Sequence, residues 1–583
     1  MSRESRACRR PWALPACGWL LYAAALLLLL YAFDRGTVPR DRLFHQEAIY
    51  PAALYRDLGH WSTWSTPYAP YFVPDVALFF LLMALTGAAA PTNAVASGVY
   101  AYAAAQFTLL ILASRWLFRG VLVHDPPAAR RAGRLTVLAG AALALALTFG
   151  FPGRDMLIQV FAAAFHGGAL VLAVAGLATL VAILNLPERR AGRREAALLA
   201  LLFSICVAGA LSDRLLLVIF VAPALPALLV VAWFGRARAR LARAAAVVAG
   251  GGLLGLLSIP WINAAGGIAV ATPASIDPSA VVDALLSLPR HEPAWLSFVV
   301  DRLFEGLGTV YRAWWLLFVV GTLLLLLASL GERGSPRIDP ASRRNLGFFA
   351  AFTLLSFVST AAATCYFAVG QYGVKVSFHG VLFVNRYLLA LYIIPLLAPA
   401  LYLPVLLGRR RALKLEAAVL VLLAVLVLAQ AARTDFRGAF PAYRPADVAC
   451  LDAQAARHGW RYGLAFFSEA RRVNVWTGEG LYVDQLTAGL EPTTWIASRR
   501  RAGEAAGYDF VITRSLQRRD DVVTRFGRPD RVADCHGMGV FVYEEPRSFP
   551  AVADAARATS ATATSSSAAP TGTSSTPRPG SPP

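Results

Sequence analysis

From Trp12 to Gln430 the chain alternates between apolar stretches of roughly 20 residues and short polar segments, and a helix needs about that length to cross a bilayer. Windows of that length pick out about a dozen such stretches, which excludes a disordered chain, a disulfide scaffold and a single-pass receptor. After Gln430 the pattern changes. Tyr462–Phe467, Tyr508–Thr513 and Gly539–Tyr543 are short alternating or apolar runs of strand length, and charged helical stretches such as Asp520–Phe526 lie between them. The pattern predicts an α-helical polytopic membrane protein of about 11–12 transmembrane helices with a small C-terminal α/β domain. The expected division is a cytoplasmic N-terminus over 1–11, a transmembrane domain over 12–432 with an outer loop at 34–72, an extracytoplasmic α/β domain over 433–555, and a tail over 556–583. That tail is Ser/Thr/Ala/Pro/Gly-rich and cannot bury enough apolar surface to fold.

Composition agrees with the pattern: 57% of the 583 residues are hydrophobic, 15% are charged, and mean hydropathy is +0.54. A net charge of +20 would suggest nucleic acid in a soluble chain. Here the basic residues are arginine except for Lys375 and Lys414, and they cluster between apolar runs, so they read as topology signals. The clusters Arg3–Arg10, Arg130–Arg134, Arg189–Arg194, Arg236–Arg243, Arg333–Arg344 and Arg409–Lys414 are expected on the cytoplasmic side. The segments between them, Asp34–Tyr71, Phe151–Asp155, Ser212–Arg214, Ala264 to about Tyr311, Gln371–Asn385 and everything after Arg433, are expected on the other. This alternation is regular from Arg130 onward. Before it, Val76–Ala90 and Ala94–Phe118 would together return the chain to the outside at Arg119, so one of them is not a simple span. Pro74 and Gly87–Pro91 mark the first run as the irregular one. The run Trp12–Phe33 lacks a small-residue cleavage pattern before Asp34 and reads as a retained first span.

Ionisable groups near membrane depth are expensive and point to function. The richest segment is Asp34–Asp75, with Asp34, Asp41, His45, Glu47, Tyr50, Asp57, His60, Trp61 and Trp64. On one helix, Glu47, Tyr50, Leu54 and Asp57 would fall within about 80° of one another, with Asp57 about 15 Å beyond Glu47 along the axis. Pro51 would kink that helix unless it begins a fresh one running to Gly59. An interfacial amphipathic helix anchored by Trp61, Trp64 and Tyr68 is the other reading. Gly153-Arg154-Asp155 stands at the outer mouth of a span, where the pair either serves the site or caps and snorkels. Asn385-Arg386-Tyr387 opens a late span, where the arginine either binds phosphate bidentately or anchors at the interface. Ser212-Asp213-Arg214 reads as a structural turn.

No P-loop, G-x-S-x-G, H-E-x-x-H or C-x-x-C pattern occurs. His45 and His60 share a loop, His166 lies in a span, and His458 and His536 lie in the last domain, too scattered for a metal site. Cys450 and Cys535 bracket that domain, either as a disulfide in an oxidising compartment or as two buried thiols.

Gln46-Glu47-Ala48-Ile49-Tyr50, followed by Gly59-His60-Trp61, resembles the first outer loop of the GT-C superfamily of polytopic glycosyltransferases, which use polyprenyl-phosphate-linked sugars and include the aminoarabinose and protein-mannosyl transferases. Members carry a D-E-x-x-Y-like pattern there. Glu47 takes the place of the acidic residue and Tyr50 that of the tyrosine, while Gln46 and Leu54 depart from it. Arg154-Asp155 resembles the acidic residue that the family often carries about a hundred residues later, and Asn385-Arg386-Tyr387-Leu388-Leu389 is similar to its R-Y-L-L element. The resemblance covers most of residues 12–430 and rests on the order and spacing of three short motifs.

It implies a plasma-membrane enzyme that moves a sugar from a polyprenyl-phosphate donor onto an envelope lipid, glycan or protein, with no nucleic acid involved. Glu47 would orient or deprotonate the acceptor, Asp155 would support it or bind a divalent metal ion, and Arg386 would hold the lipid phosphate. Tyr50, Asp57, Arg154 and Tyr387 would line the substrate site, and Trp61 and Trp64 would stack on sugar. The α/β domain would cover the site or recognise the acceptor. Two rival classes remain on the sequence alone, a transporter or flippase for a lipid-linked glycan and a non-catalytic envelope assembly protein.

Overall fold

The computed structural model describes residues 13–547 apart from 42, 87–91, 151–153, 188–191, 235–237, 266–267, 272–278, 280–281, 284–303, 305–307, 331–338, 380–385, 408, 439, 488, 499–504, 506 and 515–518. The expectations for Arg3–Arg10, Gly87–Pro91, Gly153, most of the segment 264–311, Asn385 and the tail lie outside the described residues. The chain divides into one unit of residues 1–62 and 66–444 and a second of 63–65 and 445 onward.

The first unit is helical. In chain order it contains α1 (Ala13–Asp34), α2 (Tyr50–Arg56), α3 (Ala77–Leu85), α4 (Thr92–Val121), α5 (Pro126–Thr148), α6 (Arg154–Leu157), α7 (Gly167–Leu184), α8 (Gly192–Ser212), α9 (Ala222–Phe234), α10 (Arg238–Ala264), α11 (Gly308–Leu330), α12 (Pro340–His379), α13 (Leu389–Leu397), α14 (Pro399–Leu406) and α15 (Arg409–Arg433). Among the described residues ten segments are long and apolar enough to cross a membrane, and Phe72–Leu85 and Leu217–Ala232 are shorter apolar helices. The chain is a multi-pass membrane protein. Burial separates inner from outer helices: the most apolar window of Gly167–Leu184 is 83% buried and that of Gly308–Leu330 only 11%, so α7 is a core helix and α11 a lipid-facing one.

Bilayer helices gain little from apolar burial against each other, so close approach through small residues holds them. Helices α8 and α10 meet at Gly255, where a Cβ would stand 2.5 Å from the carbonyl oxygen of Val207. Helix α5 begins where its sequence says it should: Asp125 accepts a hydrogen bond from the Ala128 amide at 3.0 Å, and Pro126 fills the first turn, where an amide proton would have no partner. The irregular run expected from Pro74 is a single wide turn at Phe72–Val76 feeding the nine-residue α3.

The second unit is α/β. It contains α16 (Ala446–His458), β1 (Tyr462–Phe466), α17 (Phe467–Trp476), β2 (Tyr482–Leu486), β3 (Tyr508–Ile512), α18 (Arg519–Phe526), β4 (Arg531–Cys535) and β5 (Met538–Arg547). The five strands lie in the order β2-β1-β3-β5-β4. Strand β1 pairs in parallel with both β2 and β3, and β5 runs antiparallel to β3 and β4. Strands β4 and β5 form a hairpin whose turn, His536-Gly537, takes positive φ at both residues, as a two-residue turn that matches strand twist requires. Leu464, Leu486, Tyr508, Val511, Val522, Phe526, Phe541 and Tyr543 form its core. Cys450 and Cys535 are joined in a disulfide with Cα atoms 5.4 Å apart, tying α16 to the end of β4.

Candidate functional site

Pro51 decides the geometry of the segment that follows α1. With Pro51 in its first turn, helix α2 starts at Tyr50 and stops at Arg56, so Glu47 lies in the turn before it, and the one-helix alignment of Glu47 with Tyr50 and Asp57 does not form. The fresh helix allowed for at Pro51 is the one observed, and it ends three residues short of Gly59. A 3-10 segment, Leu58–Thr63, follows.

Glu47 instead meets the late span. Residues 386–388 make a 3-10 turn ahead of α13, and the Arg386 guanidinium donates to Glu47 Oε2. The two side chains retain 17% and 15% exposure, so the pair is sheltered yet reachable. Arg386 lies 5.6 Å from the ring centre of Phe165 and 5.4 Å from that of Tyr387. Its Nε–H is buried with no acceptor among the described residues, an arrangement that an oxyanion would satisfy.

Behind this pair runs a hydrogen-bonded chain. The carboxylate of Asp213 can only accept, so His166 Nδ1 carries the proton of their 2.6 Å bond. In the neutral ring Nε2 is then the acceptor for the Tyr71 hydroxyl, 3.2 Å away. Burial holds the Tyr71 phenol well above its ordinary value of 10.0, so it stays a neutral donor. The His166 and Tyr387 rings lie 4.8 Å apart, linking this chain to the arginine turn.

Backbone conformation fixes these groups. Tyr71, Ala164 and His166 all adopt positive φ, which side-chain-bearing residues rarely take outside sites that over-determine them. Ser212 holds the first of these segments with both its carbonyl oxygen, to the Tyr71 amide at 2.8 Å, and its hydroxyl, to the Val73 amide at 2.8 Å. Asp75 holds the second. Its Oδ1 accepts from the Tyr102 hydroxyl at 2.6 Å and from the Ala164 amide at 3.1 Å. Its Oδ2 lies where a Cβ on Gly168 would come within 1.9 Å, so the first turn of α7 has to be glycine here.

The structure thus brings together Glu47, Arg386 and Tyr387 of the sequence-derived set. Tyr50 is fully buried and donates to the carbonyl of Pro70, which makes it a brace for the loop. Asp57 caps the end of α2, and Trp61 is 59% exposed. Trp64 is buried, belongs to the second unit with residues 63–65, and bridges to Ser498 there. Asp155 pairs at 3.6 Å with its neighbour Arg154, its side chain is 59% exposed, and none of its described contacts reaches Glu47. Among the described residues no three of His, Cys, Asp and Glu converge to hold a metal ion.

Sequence reasoning missed Tyr71, Asp75, His166 and Asp213. Three of them share a signal, a polar residue at the mouth of an apolar run beside a small or helix-breaking one: Pro74-Asp75, His166-Gly167 and Ser212-Asp213.

No protein-family profile and no curated protein matches the chain. Among solved structures, the chain is similar to a crystal structure of the Archaeoglobus fulgidus oligosaccharyltransferase in complex with Zn and sulfate, at 13% identity over 84% of this chain and 67% of that one, with a TM-score of 0.37.

Proposed function

We propose that this protein is a membrane glycosyltransferase that moves a sugar from a polyprenyl-phosphate donor to a cell-envelope acceptor at the extracytoplasmic face of the plasma membrane. The observation that carries the reading is the sheltered Glu47–Arg386 pair, formed by two of the three motifs whose order resembles the GT-C pattern. One carboxylate able to take a proton and one guanidinium able to hold a phosphate are the two charges that displacement of a phosphate leaving group needs. The acceptor hydroxyl or amine gives its proton to Glu47 as it bonds to the anomeric carbon. The bond from that carbon to the phosphate oxygen breaks, and the departing polyprenyl phosphate keeps the electron pair. Arg386 is freed as Glu47 takes the proton, and it turns its fork and its acceptor-less Nε–H to that phosphate. Tyr387 and Phe165 flank the guanidinium and keep it in place. Metal dependence forms no part of the reading.

A second reading, transport of a lipid-linked glycan, is favoured by one observation: Asp75 is 1% exposed at the head of a short, irregular apolar helix, as an ion-coupling carboxylate would be. Mass spectrometry of envelope lipids and glycans from cells lacking the protein separates the two. Transferase action predicts that one sugar disappears from an acceptor, that its polyprenyl-linked donor accumulates, and that wild type but not Glu47→Gln restores both. Full restoration by Glu47→Gln would remove the carboxylate from the chemistry and favour transport or a scaffold.

A further inference from the structure

Helix α4 reaches from the site to the opposite end of the bundle. Tyr102, bonded to Asp75, and Arg115 are 13 residues apart on it, about 20 Å at 1.5 Å per residue. At that far end α1, α4, α5 and α15 border a small cleft, lined by Trp19, Arg115, Gly133, Arg134 and Glu416 among others.

The charges of this cleft do not balance. Arg134 forks onto Glu416, with Nη2 2.9 Å from Oε2 and Nε on Oε1, so both oxygens of the one carboxylate are taken. Arg115 has its Nε–H buried without an acceptor, and its guanidinium lies 5.7 Å from the Trp19 ring centre. The stem of Arg119 rests on Gly133, where a Cβ would come within 2.8 Å of its Cδ. Neither Arg115 nor Arg119 donates a hydrogen bond to any described residue. Three arginines farther along the bundle each have an acceptor: Arg240 donates to Leu186, Arg243 to Glu195 at 2.6 Å, and Arg344 to Leu184 at 2.9 Å. The Arg115 Nε–H is therefore left without an acceptor beside the cleft, and the exposed guanidinium of Arg119 adds a second positive charge one turn away, so an anion suits this place.

The surroundings identify its source. Leu20 on α1 is 69% exposed, and Leu112 and Trp116 on α4 are 42% and 40% exposed, so exposed apolar side chains border the cleft, with a tryptophan of the kind that favours the headgroup region among them. Basic pockets between spans suit lipid phosphates. We propose that this cleft is a binding site for the phosphate of an anionic phospholipid, held by Arg115 and Arg119 with the acyl chains along Leu20 and Leu112.

The test is native mass spectrometry of the purified full-length chain titrated with phosphatidylglycerol, with phosphatidylcholine and with inorganic phosphate. Phosphatidylglycerol is expected to be retained over phosphatidylcholine. Arg115→Gln and Arg119→Gln should each weaken retention about fivefold, and the double variant about thirtyfold, from roughly 1 kcal/mol per basic residue at a lipid surface. Arg130→Gln, on the exposed side of α5, should leave it unchanged. Should the double variant not fold, the single variants decide. Equal retention of the two lipids, displacement of the lipid by millimolar inorganic phosphate, or wild-type retention by the folded arginine variants would each overturn the site.

Discussion

Glu47 and Arg386 are 339 positions apart in the chain and form one ion pair, each neutralising the other in a sheltered pocket at the mouth of the late span. The pairing has a thermodynamic consequence separate from its chemistry. Replacing one partner leaves the other charge sheltered and unpaired, whereas replacing both removes the problem. Glu47→Gln and Arg386→Gln should each lower the melting temperature in detergent, and the double variant should recover part of the loss, with a coupling of about 1–3 kcal/mol. Transfer should behave oppositely, falling by about 10²–10⁴ in Glu47→Gln as expected for loss of a general base and staying low in the double variant. Recovery of transfer in the double variant would make the pair structural.

The Tyr71–His166–Asp213 chain makes a prediction about alkaline stability. Burial keeps the Tyr71 phenol protonated in the folded protein, while in the unfolded chain it ionises near its ordinary value of 10.0. Below that pH both states carry the proton and stability is unaffected. As pH rises above 10.0 the unfolded state alone loses its proton, so stability falls toward the raised folded value. Tyr71→Phe removes this group and should show a shallower fall of melting temperature between pH 10 and 11 than wild type. An unchanged slope would mean that the phenol is not held neutral by its surroundings.

At the other end of the same chain, Asp213→Ala would leave the His166 Nδ1–H buried without its acceptor. The loss should be about 1–3 kcal/mol of stability, read from thermal unfolding. Asp213→Asn keeps an acceptor oxygen and should lose less, a difference that a purely steric role for residue 213 would not produce.

The spans were legible because a bilayer imposes one length and one composition on every crossing helix. The strands of the α/β unit were legible where alternation was strong, as at Tyr508–Ile512, and invisible at Tyr482–Leu486 and Arg531–Cys535. The former is Tyr-Val-Asp-Gln-Leu, in which the buried Asp484 accepts from the Tyr508 hydroxyl at 2.7 Å, and no local window reveals that partner. The same limit applied at the site. Glu47 and Arg386 could be singled out separately from charge at span mouths, but their pairing is a tertiary fact. His166 read as a residue within a span because the apolar run continues on both sides of it. Its left-handed backbone in fact ends one segment and starts α7. Asp213 read as a turn residue because its histidine partner is 47 positions away.

The Cys450–Cys535 bond closes a loop with a sequence separation of 85 and joins α16 to the edge hairpin. On chain-entropy grounds such a closure stabilises by about 4–5 kcal/mol. Reducing the full-length chain, or replacing Cys450 by Ser, should therefore accelerate proteolysis within residues 445–547 well before the helical unit is cleaved. Equal protection of oxidised and reduced protein would mean that the second unit is stable without the bond.

Gly168 offers the most local test of the site's architecture. It opens the first turn of α7, and a Cβ there would come within 1.9 Å of Asp75 Oδ2 and 2.8 Å of Pro74 Cδ. Neither neighbour can easily yield. Pro74 is a ring fixed in the backbone, and Asp75 is held by the Tyr102 hydroxyl and by the Ala164 amide. Gly168→Ala must therefore push Asp75 off at least one of these bonds, and the Ala164 bond is the one that sets the backbone leading into His166. Overpacking of this kind is worth about 1–3 kcal/mol of stability. The displacement should also reach the arginine turn through the 4.8 Å contact between the His166 and Tyr387 rings. Gly347→Ala is the matched comparison, because its Cβ would come within 2.4 Å of Ser329 Oγ between α11 and α12, two helices that carry none of the groups bonded to the segments at Tyr71 and His166. Both alanine variants should melt earlier than wild type in detergent, but only Gly168→Ala should lower sugar transfer beyond what its lost stability explains. Equal effects of the two on transfer, once corrected for folded protein, would mean that Asp75 and the segment it holds do not position the site.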